Sequence, residues 1–152
     1  MNEIDRLAAV HEITFMIFEQ ARLADLNRPD DQGNCFAEDA VANYYGDDIV
    51  GRKAITQLLV PALKKWVASC HTISNVQVDI HSDLSASSVS YVHAWHRIND
   101  SGEGDYEVRG QYHDDWVLTE QGWRIQNRTF LTMAATPPRP NAPGIGRVPS
   151  GN

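Results

Sequence analysis

The second half of the chain is organised as four long runs with strand character, and these runs constrain the fold more than any other feature. Residues 70–80, 87–98, 107–118 and 122–133 are rich in β-branched and aromatic side chains. Turn chemistry separates them at Ser82-Asp83, Asn99-Asp100-Ser101-Gly102 and Glu120-Gln121-Gly122. Runs joined by such short connections pair as antiparallel hairpins, which predicts one curved antiparallel sheet.

The first half follows a different period. Ile4, Leu7, Val10, Ile13, Ile17, Ala21 and Ala24 recur at three- and four-residue intervals, which predicts a long amphipathic helix over 3–24. Asn27, Arg28, Pro29, Asp30 and Asp31 break it, and Pro29 with the acidic pair suits the first turn of a short second helix through Phe36. Strand character over 40–45 and 49–51 surrounds a turn at Gly46, Asp47 and Asp48. A third helix carries Ile55, Leu58, Leu59, Ala62 and Leu63 on one face, with Pro61 predicting a kink or a broken end. Helices first and strands afterwards argue for a single α+β domain over 1–135, its helices packed on one face of the sheet. Five of the seven prolines fall within 136–152, a tail that reads as disordered or as an extended arm over a pocket mouth or a neighbouring subunit.

A net charge of −7 repels phosphate backbones and anionic membranes, and no basic cluster offsets it, so neither nucleic acid nor a membrane is an expected partner. No apolar run is long enough to span a bilayer, and the N-terminal segment is acidic, which reads as cytoplasmic. Cys35 and Cys70 match no metal motif and read as reduced, buried thiols.

Asp25 ends the first helix and His71 begins the first long strand, so a helix laid across the sheet can bring carboxylate and imidazole together as a general base. A carboxylate at a helix C-terminus is disfavoured by the helix dipole, which hints at another use for it. Alternation puts His71, Ile73, Asn75 and Gln77 on one face of that strand and Cys70, Thr72, Ser74 and Val76 on the other. On the next strand Ser90, Val92, Ala94 and His96 oppose Tyr91, His93, Trp95 and Arg97. The smaller first set leaves room for a ligand, which favours His96 over His93 as a pocket residue. On the third, either Gln111 with His113 or Tyr112 with Asp114 lines the cavity. Tyr44 and Tyr45 adjoin an early turn, where a hydroxyl can hydrogen-bond a substrate oxygen. The spacing of His71, His93, His96 and His113 is not that of a metal site. The chain has no phosphate loop, dinucleotide fingerprint, nucleophile elbow or zinc signature, so no cofactor is expected.

Several strings, in order, resemble the SnoaL-like branch of the nuclear transport factor 2-like superfamily. They are Asp25-Leu26-Asn27-Arg28, Cys35-Phe36-Ala37-Glu38-Asp39-Ala40-Val41, Val50-Gly51-Arg52-Lys53-Ala54-Ile55, His71-Thr72-Ile73-Ser74-Asn75-Val76, Gly110-Gln111-Tyr112-His113-Asp114 and Gly122-Trp123-Arg124-Ile125. The resemblance implies a cone of helices and a strongly bent sheet around a pocket, assembled as a homodimer or homotrimer. It extends to scytalone dehydratase, bile-acid 7α-dehydratase and lindane dehydrochlorinase, cofactor-free lyases in which an Asp–His dyad abstracts a proton, and Asp25 and His71 match those two positions.

By the same resemblance Tyr44 or Tyr45 falls in the tyrosine region that assists the leaving oxygen, His96 at a second histidine, and Gln111 and His113 near polar pocket residues. Gln20 stands where the dehydratases have tyrosine and the dehydrochlorinase lysine; a neutral amide can orient a substrate but does not readily act as an acid.

The expected activity is elimination of water, formaldehyde or another small group from a hydrophobic, aromatic or polycyclic hydroxylated molecule. The same pocket can serve an isomerase or cyclase. The fold also serves as a noncatalytic subunit of ring-hydroxylating dioxygenases, for which a filled cavity and an apolar outer surface built from Tyr91, Trp95 and Trp116 are expected.

Overall fold

Asn2 caps the first helix by accepting a hydrogen bond from the Asp5 N–H at 2.9 Å, and Glu3 and Asp5 complement its positive end. The computed structural model describes residues 1–44, 46–98 and 104–137. Helix α1 (Glu3–Asp25) buries Ala9, Ile13, Ile17, Gln20, Leu23 and Ala24. Ile4 and Leu7, expected on that face, are 78% and 64% exposed. At about 100° per residue they project opposite to Ile13 and Ile17, sharing an outer stripe with Phe15 and Phe18, so the three- and four-residue spacing had joined two faces.

Helix α2 (Pro29–Gly33) is shorter than expected, and Phe36 begins a strand instead of ending the helix. Gly33 packs against helix α3 (Arg52–Lys64) so closely that a Cβ there would lie 2.0 Å from Thr56 Oγ1. Pro61 sits inside α3, which continues three residues beyond it before ending. Strands β1 (Phe36–Asn43) and β2 (Asp48–Val50) fill the interval between α2 and α3, β1 starting four residues before the expected 40.

Strands β3 (Ala68–Ile80), β4 (Ser85–Arg97), β5 (Tyr106–Thr119) and β6 (Gly122–Thr136) follow. The curved, unclosed sheet has the order β2-β1-β6-β5-β4-β3. All neighbours are antiparallel except β1 and β6, which are parallel, a departure from the uniformly antiparallel expectation. Short connections in sequence make direction alternate from β3 to β6, whereas β1 reaches β6 through a long connection that imposes no such reversal.

Asn75 in β3 adopts φ +49°, and the β3–β4 register shifts between Ser74 and Gln77. This bulge reverses the alternation: Ser69, His71 and Ile73 face inward before it, and Val76, Val78 and Ile80 after it. Gln77 therefore does not share the His71 face. Cys70 lies on the outer phase and is exposed, contrary to the expectation of a buried thiol, whereas Cys35 is buried.

Ile13, Ile17, Phe36, Ile55, Trp116, Trp123 and Ile125 form the main core, and a second cluster of Val92, Ala94, Val108 and Phe130 adjoins it. Trp116, which the noncatalytic-subunit alternative would place on an outer surface, is only 2% exposed and donates through Nε1 to Ser88 Oγ at 2.8 Å. Its phase on β5 points into the layer beneath the helices, where an indole that large has the most area to bury. No helix among the described residues is long and apolar enough to cross a membrane. The turn at 99–102 and the tail beyond residue 137 lie outside the described residues.

Candidate active site

Helix α1 stops where it does because Asn27 takes the left-handed conformation, φ +53°, while the Leu26 and Arg28 N–H groups donate back to the carbonyls of Arg22 and Leu23 at 3.0 and 2.9 Å. That geometry leaves the side chain of Asp25 against β3, one of the two edge strands of the sheet. Asp25 Oδ1 accepts from the His71 ring Nδ1–H at 2.6 Å and from Ser69 Oγ at 2.8 Å; Oδ2 accepts from the His71 backbone N–H at 2.9 Å. Ser69 and His71 are two apart on the strand and so share the face that meets the carboxylate.

Burial by itself would raise the Asp25 carboxyl, but the hydrogen bonds from the His71 ring, the His71 backbone and Ser69 outweigh it and hold the group below the ordinary aspartate range. An ionised carboxylate can only accept, so the His71 proton sits on Nδ1 and the Nε2 lone pair is the basic one. The imidazole is 11% exposed and Asp25 27%.

His71 lines a cavity of about 160 Å³. His96 on β4 meets His71 edge-on, with centroids 5.2 Å apart and ring planes at 87°. Its Nδ1–H donates to the Tyr106 carbonyl at 3.3 Å. Trp66, just after α3, lies 4.5 Å from the His96 ring and stacks on Tyr106 at 6.0 Å. Leu58, Leu59, Ala62 and Leu63 of α3 supply the apolar wall.

Arg128 closes another side of the cavity. It donates through Nε and Nη2 to both oxygens of Asp114 at 2.8 and 2.7 Å, and through Nη1 to Gln20 Oε1. Its guanidinium lies 4.1 Å from the Tyr112 ring centroid. Burial alone would lower the Arg128 pKa, but Asp114 beside it raises it above its ordinary value, so the guanidinium keeps its charge. Gly110 permits the neighbouring wall: a Cβ there would lie 2.5 Å from the Phe130 ring and 2.5 Å from the Leu131 carbonyl oxygen.

Among the residues expected to form the site, Asp25 and His71 are in contact, and His71, His96 and Tyr44 line the cavity. Val92 shares the inward phase but is packed with Ala94, Val108 and Phe130 behind the lining. Gln20 is buried and holds Arg128 without lining the cavity. Gln111 and His113 are not pocket residues: they face the other side of β5 and hydrogen-bond each other at 2.8 Å, His113 bordering an outer polar recess with Gln77 and Asp79. Tyr112 and Asp114 occupy the inward phase instead. Tyr45 lies outside the described residues. His93 faces outward and pairs with Glu107 at 2.9 Å. Among the described residues no group of three or more His, Cys, Asp or Glu is placed to hold a metal ion.

Ser69, Trp66, Gln32 and the Asp114–Arg128 pair were not foreseen. The pair had a signal, because Asp114 and Arg128 occupy facing positions of β5 and β6. Two opposite charges in the inward phase of adjacent strands must satisfy each other.

The SnoaL-like domain model matches residues 5–129. A provisionally assigned scytalone dehydratase from Novosphingobium aromaticivorans superimposes with a TM-score of 0.88 at 27% identity, over 97% of this chain and 99% of its own. A hexachlorocyclohexane dehydrochlorinase (LinA, type 2) gives 0.80 at 17% identity, over 99% and 100%. A provisionally assigned aromatic ring hydroxylase, also from N. aromaticivorans, gives 0.72 at 22% over 82% and 88%. The last two comparisons speak to the fold alone. No curated protein matches the sequence.

Proposed function

This chain belongs to the SnoaL-like domain family, and on that premise we propose that it is a cofactor-independent lyase acting on a small hydroxylated aromatic or cyclic compound. The observation that carries the proposal is the 2.6 Å contact between Asp25 and the His71 ring at the wall of an aromatic-lined cavity. In this reading His71 Nε2 takes a proton from a carbon next to the carbon bearing the leaving group. The released electron pair forms the double bond, and the leaving oxygen departs with a proton from Tyr44; the tyrosinate recovers it from the His71 imidazolium. Asp25 stabilises the charge on His71 throughout. His96 borders the same cavity and orients the substrate.

Size narrows the substrate. An engineered apolar cavity of about 150 Å³ holds benzene, so a cavity of about 160 Å³ accommodates one ring with short substituents and excludes a fully enclosed polycyclic body. Gln20 bonded to Arg128 leaves no acid at that position, which favours loss of a group that His71 and Tyr44 can manage between them.

The test is a screen of single-ring hydroxylated compounds for loss of one water, comparing the native protein with His71→Ala and Asp25→Asn. Loss of turnover in both variants is expected; unchanged turnover in either overturns the dyad. Deuterium incorporated from heavy water into an unrearranged product would assign the pocket to an isomerase instead.

A further inference from the structure

Helix α1 is apolar on two sides. One side holds the core residues Ala9, Ile13 and Ile17; on the opposite side, beside the exposed Ile4 and Leu7, Phe15 and Phe18 are 57% and 47% exposed. At about 100° per residue these four and His11 fall within an arc of about 80°, so they form one ridge along the helix. Single exposed apolar residues are ordinary, but a continuous ridge holding two phenylalanines marks a face that meets another surface.

A groove of about 220 Å³ runs beside the ridge, between α1 and the β5–β6 turn, with His11, Glu12, Phe15, Met16, Trp123 and Arg124 among its walls. Its volume suits a phenyl ring, since an apolar cavity of about 150 Å³ holds benzene. Arg124 donates through Nη1 to the Trp123 carbonyl at 2.8 Å. Among the described residues neither Arg124 nor Glu12 has an ion-pair partner, so the groove carries one uncompensated charge of each sign.

The pattern is self-complementary. By the same helical turn, Glu12 and Met16 lie on one flank of the ridge, which is therefore the flank of the groove. Two copies of α1 packed antiparallel about a two-fold axis bring like flanks together, so groove faces groove. With the axis at the level of Ile13, Leu7 faces the partner's Phe18 and His11 faces the partner's Phe15. Glu12 then arrives at the level of the partner's Thr14, within reach of the partner's Arg124. Parallel packing would bring unlike flanks together and leave both charges unpaired.

We propose that this face of α1 is a two-fold interface between copies of this chain, each Phe15 seated over the partner's groove and each Glu12 paired with the partner's Arg124. None of these residues lines the dyad cavity, so the interface stands apart from the lyase reading.

Sedimentation velocity tests it on the native protein, Glu12→Arg, Arg124→Glu, and an equimolar mixture of the two variants. The native protein is expected to sediment as an assembly of an even number of chains. Each variant alone sets like charges face to face twice, once in each half of the interface, and its dissociation constant is expected to rise on the order of 100-fold. In the mixture one half of the interface keeps the native pair and the other joins the two reversals, so assembly is expected to return to within about tenfold of native. Charges that met only within one chain would stay mismatched there. Phe15→Asp reaches the same dissociation without touching either charge. A native protein that is monomeric or trimeric, a Phe15→Asp variant that keeps the native mass, or a mixture no better assembled than its components overturns the proposal.

Discussion

Asp25 holds His71 twice, through the ring Nδ1–H at 2.6 Å and through the backbone N–H at 2.9 Å, so one carboxylate sets both the tautomer of the imidazole and the position of the strand that carries it. Asp25→Asn keeps the shape but removes the charge and presents a donor to one of the two His71 N–H groups that need an acceptor. Turnover of the eventual substrate is expected to fall about 100-fold or more in Asp25→Asn, with KM changed far less than kcat; steady-state kinetics on both enzymes check this.

Acid sensitivity follows from the same contact. Asp25 is held below its unfolded value, near 3.9 for a free aspartate, so its contribution to stability is fully present above about pH 4 and is lost as pH falls through the depressed folded value. Urea unfolding followed from pH 7 downward is expected to show the native protein losing more stability below pH 4 than Asp25→Asn. Parallel curves would refute the assignment.

Ser69 contributes the third hydrogen bond to that carboxylate, at 2.8 Å. Ser69→Ala is expected to raise the Asp25 pKa, move the acid limb of the stability profile upward, and cost about 0.5–1.5 kcal/mol at neutral pH. Titration of the Asp25 carboxyl carbon by NMR checks it.

Asp114 and Arg128 are 0% and 2% exposed in their side chains. Removing one partner strands the other charge, so Asp114→Ala is expected to cost about 3–5 kcal/mol, whereas an apolar replacement of both at matched volume costs much less. Chemical denaturation of both single variants and the double variant gives the coupling directly; additive single effects would contradict it.

Gly110 leaves the space that the Phe130 ring occupies beside the β5 backbone. In Gly110→Ala the new methyl meets a backbone oxygen and an aromatic ring at once, which is expected to destabilise by about 1–3 kcal/mol. The displaced ring alters the cavity wall, so toluene affinity is expected to change as well, and binding measured beside unfolding separates the two effects.

The α+β class, the four long strands and the helical period of α1 were legible in the sequence because each depends on neighbours a few residues apart. The inward set of β4 was legible for the same reason, since Val92, Ala94 and His96 alternate without interruption. Local reading went astray wherever a single backbone angle or a distant partner intervened. Asn75 reverses the phase of β3, and nothing in the pattern around it marks that one residue as left-handed. On β5 two phases competed, and the inward one is the phase that places Asp114 opposite Arg128 and Trp116 under the helices.

The sequence by itself determined which segments are helix and which are strand, and it supplied a carboxylate and an imidazole at the ends of two of them. Tertiary structure alone decided that they touch, across 46 residues of chain. It also decided that Gln111 and His113 turn away from the cavity and that Tyr112 lines it in their place. Periodicity records which side of an element is apolar, but the distance between two side chains depends on how whole elements pack and in what register, which no local pattern contains.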